Sequence, residues 1–250
     1  MKLNIVTVHF NSGDQLEVTF NSLKNYLTNQ IAWIILDGNS SDNSLSFLDD
    51  VDKKYLAHVR CIREPDDGIY HAMNKAISIL DSEEFIWFLN AGDLMQSLPC
   101  ADCLIKDVNF FAVQTNYNSK VLYPNIKLPF SLKTLSPYST FPHQGMVTRV
   151  AVLKRYKFDE KIGLCADHLQ IVRILKDEQF SVSKKVIAIY DINGVSNTRH
   201  IEMLRCNCRV CRSLNFSVFR YFLINHTYVL KQITKSVLPG TLVRLVRNLI

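Results

Sequence analysis

The first part of the chain repeats one pattern: a short apolar run, a polar turn and a segment in which apolar residues recur with helical spacing. Such units build parallel sheets. The predicted strands lie at residues 3–10, Trp33–Leu36, His58–Ile62 and Phe85–Leu89. The predicted helices lie at Gln15–Leu27, Asp42–Asp50 and Ile69–Leu80. The sequence therefore predicts an α/β fold, a mostly parallel sheet with helices on both faces.

Polar side chains stand at the end of every predicted strand. They are Thr7 and His9, then Asp37, then Asp66 with Asp67, and finally Asn90 with Asp93. Because ligands of open parallel sheets lie beyond the carboxyl ends of the strands, we expect a binding site there. A nucleotide diphosphate on this acidic rim needs a divalent cation, and the oxygens of Asn90 and Asp93 suit Mg²⁺ or Mn²⁺. Neither a dinucleotide-binding glycine loop nor a P-loop motif occurs.

Turn and cap chemistry is the competing interpretation of these acidic residues. Asp37 and Asp42 lie in a Gly-, Asn- and Ser-rich stretch, which favours turns and helix caps. A strand-ending turn at Asp93 and an N-cap at Asp167 are the matching alternatives. We favour binding roles because such residues recur at successive strand ends. Asp66 and Asp67 are adjacent, so we expect one of the two to be a solvated turn residue.

Six motifs, in this order and spacing, carry a family resemblance. They are LDGNSSDNS, EPDDGIYHAMNKA, FLNAGD, HQGMVTR, LCADHLQIVRIL and DINGVSN. Together they resemble the inverting family-2 glycosyltransferases of bacterial polysaccharide synthesis, and most of all the colanic-acid and O-antigen type. The resemblance extends over about residues 1–195. It implies a GT-A fold with a nucleotide-sugar-binding half at residues 1–95 and an acceptor-binding half at residues 96–198.

The resemblance also implies roles for individual residues on the donor side. Thr7, His9 and Asp37 would hold the nucleobase and ribose of a nucleotide-sugar donor. The donor pocket would further be lined by Asp66, Asn74, Lys75 and Asn90. Specificity for the sugar and the nucleotide would lie in loops such as residues 109–138, so the donor is left open, with UDP preferred over GDP.

The metal, the base and the acceptor side are implied in the same way. Asp93 matches the metal ligand of the family's D-x-D motif, although Asn90 and Gly92 stand where other members carry acids, so the donor diphosphate would supply more of the coordination. Asp167 matches the catalytic base, which accepts the acceptor hydroxyl's proton. His143 and Gln144 match a pair on the acceptor side. Residues 193–196 would form a turn near the diphosphate.

The positive charge is concentrated at the end of the chain. Residues 199–250 contain nine Lys and Arg and one acid, Glu202, whereas residues 1–198 contain 20 Lys and Arg and 22 acids. Residues 217–237 are helical in pattern, and residues 241–250 would form a basic amphipathic helix. We expect this tail to bind the inner membrane surface, where a polyprenyl-diphosphate-linked acceptor would be met. Packing on the body of the protein, or a homodimer through residues 216–222, is the alternative.

We therefore expect a cytoplasmic, peripheral-membrane, metal-dependent inverting glycosyltransferase. The N-terminal apolar run is too short for a signal peptide, no apolar stretch is long enough to span a bilayer, and the seven cysteines are predicted to be thiols. A sugar nucleotidyltransferase is one alternative, but it lacks the expected Gly/Arg/Lys-rich loop after the first strand. A nucleic-acid-binding protein using the basic tail is another, but it leaves the acidic rim unexplained.

Overall fold

The computed structural model describes residues 2–99, 101–116, 119–124, 142–190 and 199–237. The predicted turn at residues 193–196 and the predicted amphipathic helix at residues 241–250 lie outside these ranges. The chain forms two compact units. The first lies within residues 1–125, 141–158 and 170–192, and the second is described over residues 159–169 and 199–237.

The first unit is built on a β-sheet. Its strands are β1 (Leu3–His9), β2 (Ile31–Asp37), β3 (Val59–Arg63), β4 (Phe85–Phe88), β5 (Leu94–Met95), β6 (Val108–Thr115), β7 (Val121–Leu122), β8 (Met146–Arg149) and β9 (Phe180–Tyr190). Its helices are α1 (Gln15–Leu23), α2 (Lys53–Leu56), α3 (Ile69–Ile79) and α4 (Val150–Arg155). The helix α5 (Ala166–Asp177) begins in the second unit and continues in the first from Gln170.

Within the described residues, the nine strands form one sheet in the order β3-β2-β1-β4-β8-β6-β9-β5, with β7 paired on β6. The four strands predicted from the sequence pair in parallel. The later strands make the sheet mixed, because β8 runs antiparallel between β4 and β6, whereas β6 and β9 are parallel. The predicted α/β fold is thus confirmed, with a parallel half and a mixed half.

Apolar burial explains why these elements pack together. Every residue of β1 and β4 is buried, as expected for strands covered on both faces. Helix α3 buries Ala72, Met73, Ala76 and Ile77, which share one helical face. The two tryptophans of the chain, Trp33 on β2 and Trp87 on β4, are completely buried in this core.

Two predicted helices are shorter than expected. Helix α1 ends at Leu23, and the chain continues as a 3₁₀ turn at Lys24–Tyr26. The predicted helix Asp42–Asp50 is reduced to a 3₁₀ segment at Ser46–Asp50. The Asp42 carboxylate accepts hydrogen bonds from the backbone N–H and the hydroxyl of Ser44, which stabilises a local turn in competition with a helix.

The second unit is helical where it is described. It contains α6 (His200–Ser213), α7 (Val218–Ile224) and α8 (His226–Val237). The single helix predicted at residues 217–237 is divided at Asn225, whose side-chain Nδ2 donates to the carbonyl oxygen of Tyr221. Among the described cysteines, five are free, but Cys103 is disulfide-bonded, so the prediction of free thiols is wrong for Cys103.

The buried hydroxyl of Thr7 links three elements of the parallel half. Thr7 Oγ1 donates to the carbonyl oxygen of Leu89 at 2.7 Å and accepts from Trp33 Nε1 at 2.9 Å. Thr7→Val should lower the free energy of unfolding by about 2–4 kcal/mol, because both partners become unsatisfied in the core. Urea denaturation followed by the fluorescence of the two tryptophans measures this loss.

Thr7→Ser is the matched control. It keeps the hydroxyl and removes one methyl group, so we expect a loss of only about 1 kcal/mol. Equal losses in the two variants would show that the hydroxyl bonds do not stabilise the sheet.

Candidate functional site

The carboxyl ends of the parallel strands meet at one edge of the sheet. The register pairs His9 with Asp37 and Asp37 with Arg63, so the last residues of β1, β2 and β3 stand side by side. The sequence predicted the first two of these and missed Arg63. Its position at the end of the third strand was the available signal.

Asp37 is the centre of this cluster. Its side chain is fully buried, its Oδ2 lies 3.2 Å from Arg63 Nε, and its Oδ1 accepts from the backbone N–H of Ser40 at 2.9 Å. Arg63 Nη2 also donates to the carbonyl oxygen of Ser40. About half of the Arg63 side chain is exposed, so its guanidinium is the accessible part of the buried ion pair.

His9 lies on the other side of Asp37. Its Nε2 is 3.6 Å from Asp37 Oδ1, and its Nδ1 is 3.1 Å from the Ser12 hydroxyl. Burial lowers the pKa of His9, and the charges of Asp37 and Asp42 only partly oppose this effect. The imidazole is therefore neutral at neutral pH. His9 Nε2 and Asp37 Oδ2 are buried atoms that make no hydrogen bond among the described residues.

Two loops are joined beside this cluster. Asn11 has a positive φ of 48° and accepts hydrogen bonds at Oδ1 from the backbone N–H groups of Ser41 and Asp42. In return, the Asp42 carboxylate accepts from the N–H of Gly13 at 2.9 Å. The hydrogen bonds from Ser44 and then Gly13 lower the pKa of Asp42. Asp42 therefore acts as a turn residue, as the alternative interpretation proposed.

Asp66 approaches the same edge from the loop that follows β3. Its Oδ1 accepts from the N–H of Gly68 at 2.8 Å. A Cβ atom on Gly38 would stand 2.7 Å from Asp66 Oδ2, so a larger residue at this position would require the Asp66 side chain to move. The structure thus places Asp66 against Gly38, the residue that follows Asp37. Asp67 instead has a highly exposed carboxylate, 3.3 Å from His71 Nδ1.

Asn74 and Lys75 make structural contacts within the first unit. Asn74 donates from Nδ2 to the carbonyl oxygen of Phe158 and accepts at Oδ1 from its N–H, both at 3.0 Å. Lys75 Nζ donates to the carbonyl oxygen of Pro65 and lies 3.1 Å from Glu64 Oε1. Their predicted donor contacts stay a prediction.

Asp93 lies in the turn that follows β4 and is almost completely buried. Gln144 donates from Nε2 to Asp93 Oδ2 at 3.0 Å, and the N–H of Asn90 is 3.3 Å from the same oxygen. Trp87 Nε1 donates to the backbone carbonyl of Gln144 at 2.7 Å, which fixes its main chain. The carboxylate of Asp93, the predicted metal ligand, is therefore oriented by the amide of Gln144. The sequence analysis places Gln144 on the side of the sugar acceptor.

The turn is completed by His143 and by helix α1. Asn90 Nδ2 is 3.3 Å from His143 Nε2. Gly92, at φ 91°, donates its N–H to the carbonyl oxygen of Gln15 and to the hydroxyl of Thr19. Burial and the nearby charge of Asp93 raise the pKa of Tyr190, so a neutral phenol that the sequence analysis missed also lies near this turn.

Oxygen atoms of this turn fit a hard divalent cation. Asn90 Oδ1 is buried and makes no hydrogen bond among the described residues, and Asp93 Oδ2 lies 3.3 Å from the backbone nitrogen of the same asparagine. Such oxygen ligands suit Mg²⁺ or Mn²⁺. The described part of the chain contains no group of three or more His, Cys, Asp or Glu side chains placed to hold a metal. A cation here would need further ligands from the substrate.

Asp167 lies in the second unit, in the first turn of α5. Its Oδ1 accepts from the N–H of His168 at 2.8 Å, so the carboxylate is held close to its own backbone. The predicted N-cap alternative differs from the structure, because α5 already begins at Ala166. His168 is buried, and burial lowers its pKa to about 4 against the opposing charge of Asp167.

Comparison with protein families gives one match. Residues 4–97 match the model of the family described as Glycosyl transferase family 2. This segment contains the first five strands from residue 4 onward, with the cluster around Asp37 and with Asn90 and Asp93, whereas Gln144, His143 and Tyr190 lie outside it. No curated protein sequence matches the chain significantly.

Solved structures share the fold. TarS 1-349 of S. aureus in complex with UDP-GlcNAc is 18% identical, with a TM-score of 0.62, covering 93% of this chain and 72% of that chain. A longer TarS structure is covered over only 43% of its length. The mannosyltransferase PcManGT from Pyrobaculum calidifontis, in complex with GDP-Man and Mn²⁺, is 13% identical, with a TM-score of 0.61, covering 91% and 69%. The chain has the GT-A fold.

His168 should make the second unit less stable in acid. An unfolded histidine binds a proton near pH 6.5, whereas the folded His168 does so only near pH 4, so protonation favours the unfolded state over that window. We expect the free energy of unfolding to fall by roughly 3 kcal/mol on this account. Urea denaturation followed by far-UV circular dichroism, repeated across that pH window, measures the slope.

His168→Leu should remove this part of the pH dependence, whereas His226→Gln, which replaces an exposed histidine, should keep it. The same slope in wild type and His168→Leu would contradict the prediction.

Proposed function

We propose that this protein is an inverting glycosyltransferase that moves a sugar from a nucleotide-sugar, UDP-linked by preference, to a lipid-linked oligosaccharide. The observation that carries the proposal is the pair of polar clusters, around Asp37 and around Asp93, in the segment that matches family 2. Both clusters follow parallel strands, and each contains a buried polar atom that makes no hydrogen bond within the part of the chain that the structure describes. A nucleotide-sugar, with its nucleobase at one cluster and its diphosphate at the other, fits this arrangement.

The Asp37 cluster suits the nucleobase. Asp37 Oδ2 is a hydrogen-bond acceptor, and the exposed Arg63 guanidinium beside it is a donor. Every nucleobase presents a donor next to an acceptor, an N–H beside a carbonyl oxygen in uracil, thymine and guanine, so such an edge complements this pair, and the preference for UDP rests on the family resemblance. Asp66 and His9 would contact the ribose. Thr7 is committed to the sheet through its hydroxyl, so we assign it to positioning β1 rather than to the donor.

The Asp93 turn suits the diphosphate. Asp93 and Asn90 Oδ1 would hold Mg²⁺ or Mn²⁺, as the Mn²⁺ complex of PcManGT suggests for a related fold. A bound cation would neutralise the charge of the departing nucleotide diphosphate. Gln144 acts through Asp93: its amide orients the carboxylate. His143 contacts Asn90, and we further propose that it contacts the sugar acceptor.

Asp167 is proposed as the catalytic base. The acceptor hydroxyl oxygen attacks the anomeric carbon and forms the new C–O bond, while the bond to the nucleotide diphosphate breaks on the opposite face. The hydroxyl proton passes to the Asp167 carboxylate. One displacement inverts the anomeric configuration, so no second carboxylate nucleophile is required.

The proposed acceptor is linked to polyprenyl diphosphate, as in O-antigen or colanic-acid synthesis. The reaction would then take place at the inner face of the membrane, with the protein attached peripherally by its basic C-terminal region. Among the described residues, no helix is long and apolar enough to cross a bilayer. A homodimer through residues 216–222 is the alternative use of that region.

Asp93→Asn should weaken donor binding only in the presence of metal. Removing the carboxylate takes away the anionic ligand, so the Mn²⁺-dependent affinity for the nucleotide-sugar should fall by roughly tenfold or more, which is at least about 1.4 kcal/mol. Thermal shifts with UDP-, GDP- and dTDP-sugars, each with and without Mn²⁺, measure the loss of affinity and identify the nucleobase that the protein binds.

Asp102→Asn, at an exposed carboxylate elsewhere in the first unit, is the matched control. A wild-type shift in Asp93→Asn would remove the metal assignment. No shift of the wild-type protein with any nucleotide-sugar would contradict the proposed donor site.

Asp167→Asn should abolish transfer and leave donor binding intact. The amide keeps the shape of the side chain but cannot accept the proton, so turnover should fall by about 10²- to 10⁴-fold. The measurement is transfer of labelled sugar to a polyprenyl-diphosphate-linked oligosaccharide, beside the donor-induced thermal shift. Wild-type turnover in the variant would exclude Asp167 as the base, and Asp102→Asn again controls for the substitution.

A further inference from the structure

The helices of the second unit carry arginines whose side chains form neither a hydrogen bond nor an ion pair with any residue that the structure describes. Arg205 and Arg212, seven residues apart, share one face of α6, and Arg220 lies on α7. All three are exposed. Within the described residues, none of their side chains makes a hydrogen bond or a salt bridge. The single acid of this region, Glu202, is paired with Arg199, so it does not neutralise them.

The same helices expose large apolar side chains. On α7, Phe219 is 72% exposed and Leu223 is 58% exposed, and the spacing of four residues puts them on one face. On α8, Leu230 is 60% exposed and Ile233 is 42% exposed, three residues apart. Four large apolar side chains exposed along two consecutive helices are typical of an interaction site.

Buried contacts fix which face of each helix is outward. Tyr221 on α7 and Tyr228 on α8 are almost completely buried. Asn225, between the two helices, is buried and donates to the carbonyl oxygen of Tyr221. The exposed apolar residues therefore lie on faces that the second unit itself leaves uncovered.

We infer that α6, α7 and α8 form a docking surface for an anionic lipid bilayer, defined by the arginines Arg205, Arg212 and Arg220 and the apolar residues Phe219, Leu223, Leu230 and Ile233. Charge complementarity selects this occupant, because guanidinium groups attract anionic headgroups while the apolar side chains enter the interface. The helices lie on the membrane and do not span it. The inference rests on the proposed function, which supplies the lipid-linked acceptor. It adds that helices α6, α7 and α8, which end at Val237, attach the protein to the membrane.

The test uses the full chain and two kinds of vesicle, phosphatidylcholine alone and phosphatidylcholine mixed with phosphatidylglycerol. Sedimentation with vesicles measures binding. Wild type should bind the anionic vesicles and bind the neutral ones far more weakly. Arg205→Gln/Arg212→Gln should lower binding to anionic vesicles by about 25-fold, since each basic residue near such a surface contributes about fivefold.

Phe219→Ser/Leu223→Ser tests the apolar part of the docking surface. Because both side chains leave the water on docking, binding should fall by roughly tenfold or more. Both substitutions are at exposed positions, so the variant should fold, and an unchanged donor-induced thermal shift confirms it.

Matched controls come from exposed residues of the first unit. Lys53→Gln/Lys157→Gln removes the same charge, and Ile105→Ser/Val182→Ser removes comparable exposed apolar surface. Neither control should change vesicle binding.

Three results would overturn the inference. The first is equal binding of wild type and both docking-surface variants to anionic vesicles. The second is a wild-type dimer that dissociates in Phe219→Ser/Leu223→Ser without loss of vesicle binding, which assigns the surface to a second copy of the chain. The third is retention on DNA that depends on the arginines, with no vesicle binding at all. Vesicle binding without any donor-induced shift would support the docking surface and count against the proposed enzyme.

Discussion

A buried carboxylate organises the edge of the sheet on which the proposed chemistry depends. Moving the charge of Asp37 into the core is unfavourable unless it is paired and hydrogen-bonded. Arg63, in register on the neighbouring strand, supplies the counter-charge, and the N–H of Ser40 supplies a hydrogen bond. The loops after β1, β2 and β3 meet at this edge, because Asn11 Oδ1 accepts from the N–H of Ser41 and Asp66 lies against Gly38.

The two polar clusters share a physical property: each contains a buried polar atom that forms no hydrogen bond with any described residue. His9 Nε2 belongs to one cluster and Asn90 Oδ1 to the other. An unsatisfied buried polar atom costs about 1–3 kcal/mol of folding stability. A ligand that supplies the missing donors and acceptors recovers that energy on binding. The surrounding contacts, such as the amide of Gln144 on Asp93, hold the groups in place beforehand.

The sequence predicts the parallel half of the fold well, because β1, β2 and β4 are mainly apolar runs followed by turn residues. Asp37, Asp66 and Asp93 stand at strand ends as predicted. The mixed half depends on pairing between distant segments, such as β4 with β8, which local patterns do not encode. That pairing explains why Gln144 contacts Asp93, although the sequence places it far away. A motif assigns the side chains of Asn74 and Lys75 to a ligand, but in the structure Asn74 donates to a backbone carbonyl oxygen, and Lys75 contacts a backbone carbonyl oxygen and Glu64.

The antiparallel insertion of β8 also sets an order of events during synthesis. Residues 85–88 of β4 are entirely apolar and buried, and one side of this strand is covered only when Met146–Arg149 pairs with it. A nascent chain that ends near residue 97 therefore has an open, hydrophobic strand edge, which is prone to pair with other chains. Residues 4–97 match the family model on their own, but within this segment one edge of β4 has no pairing strand. That edge is covered only after β8 has been translated.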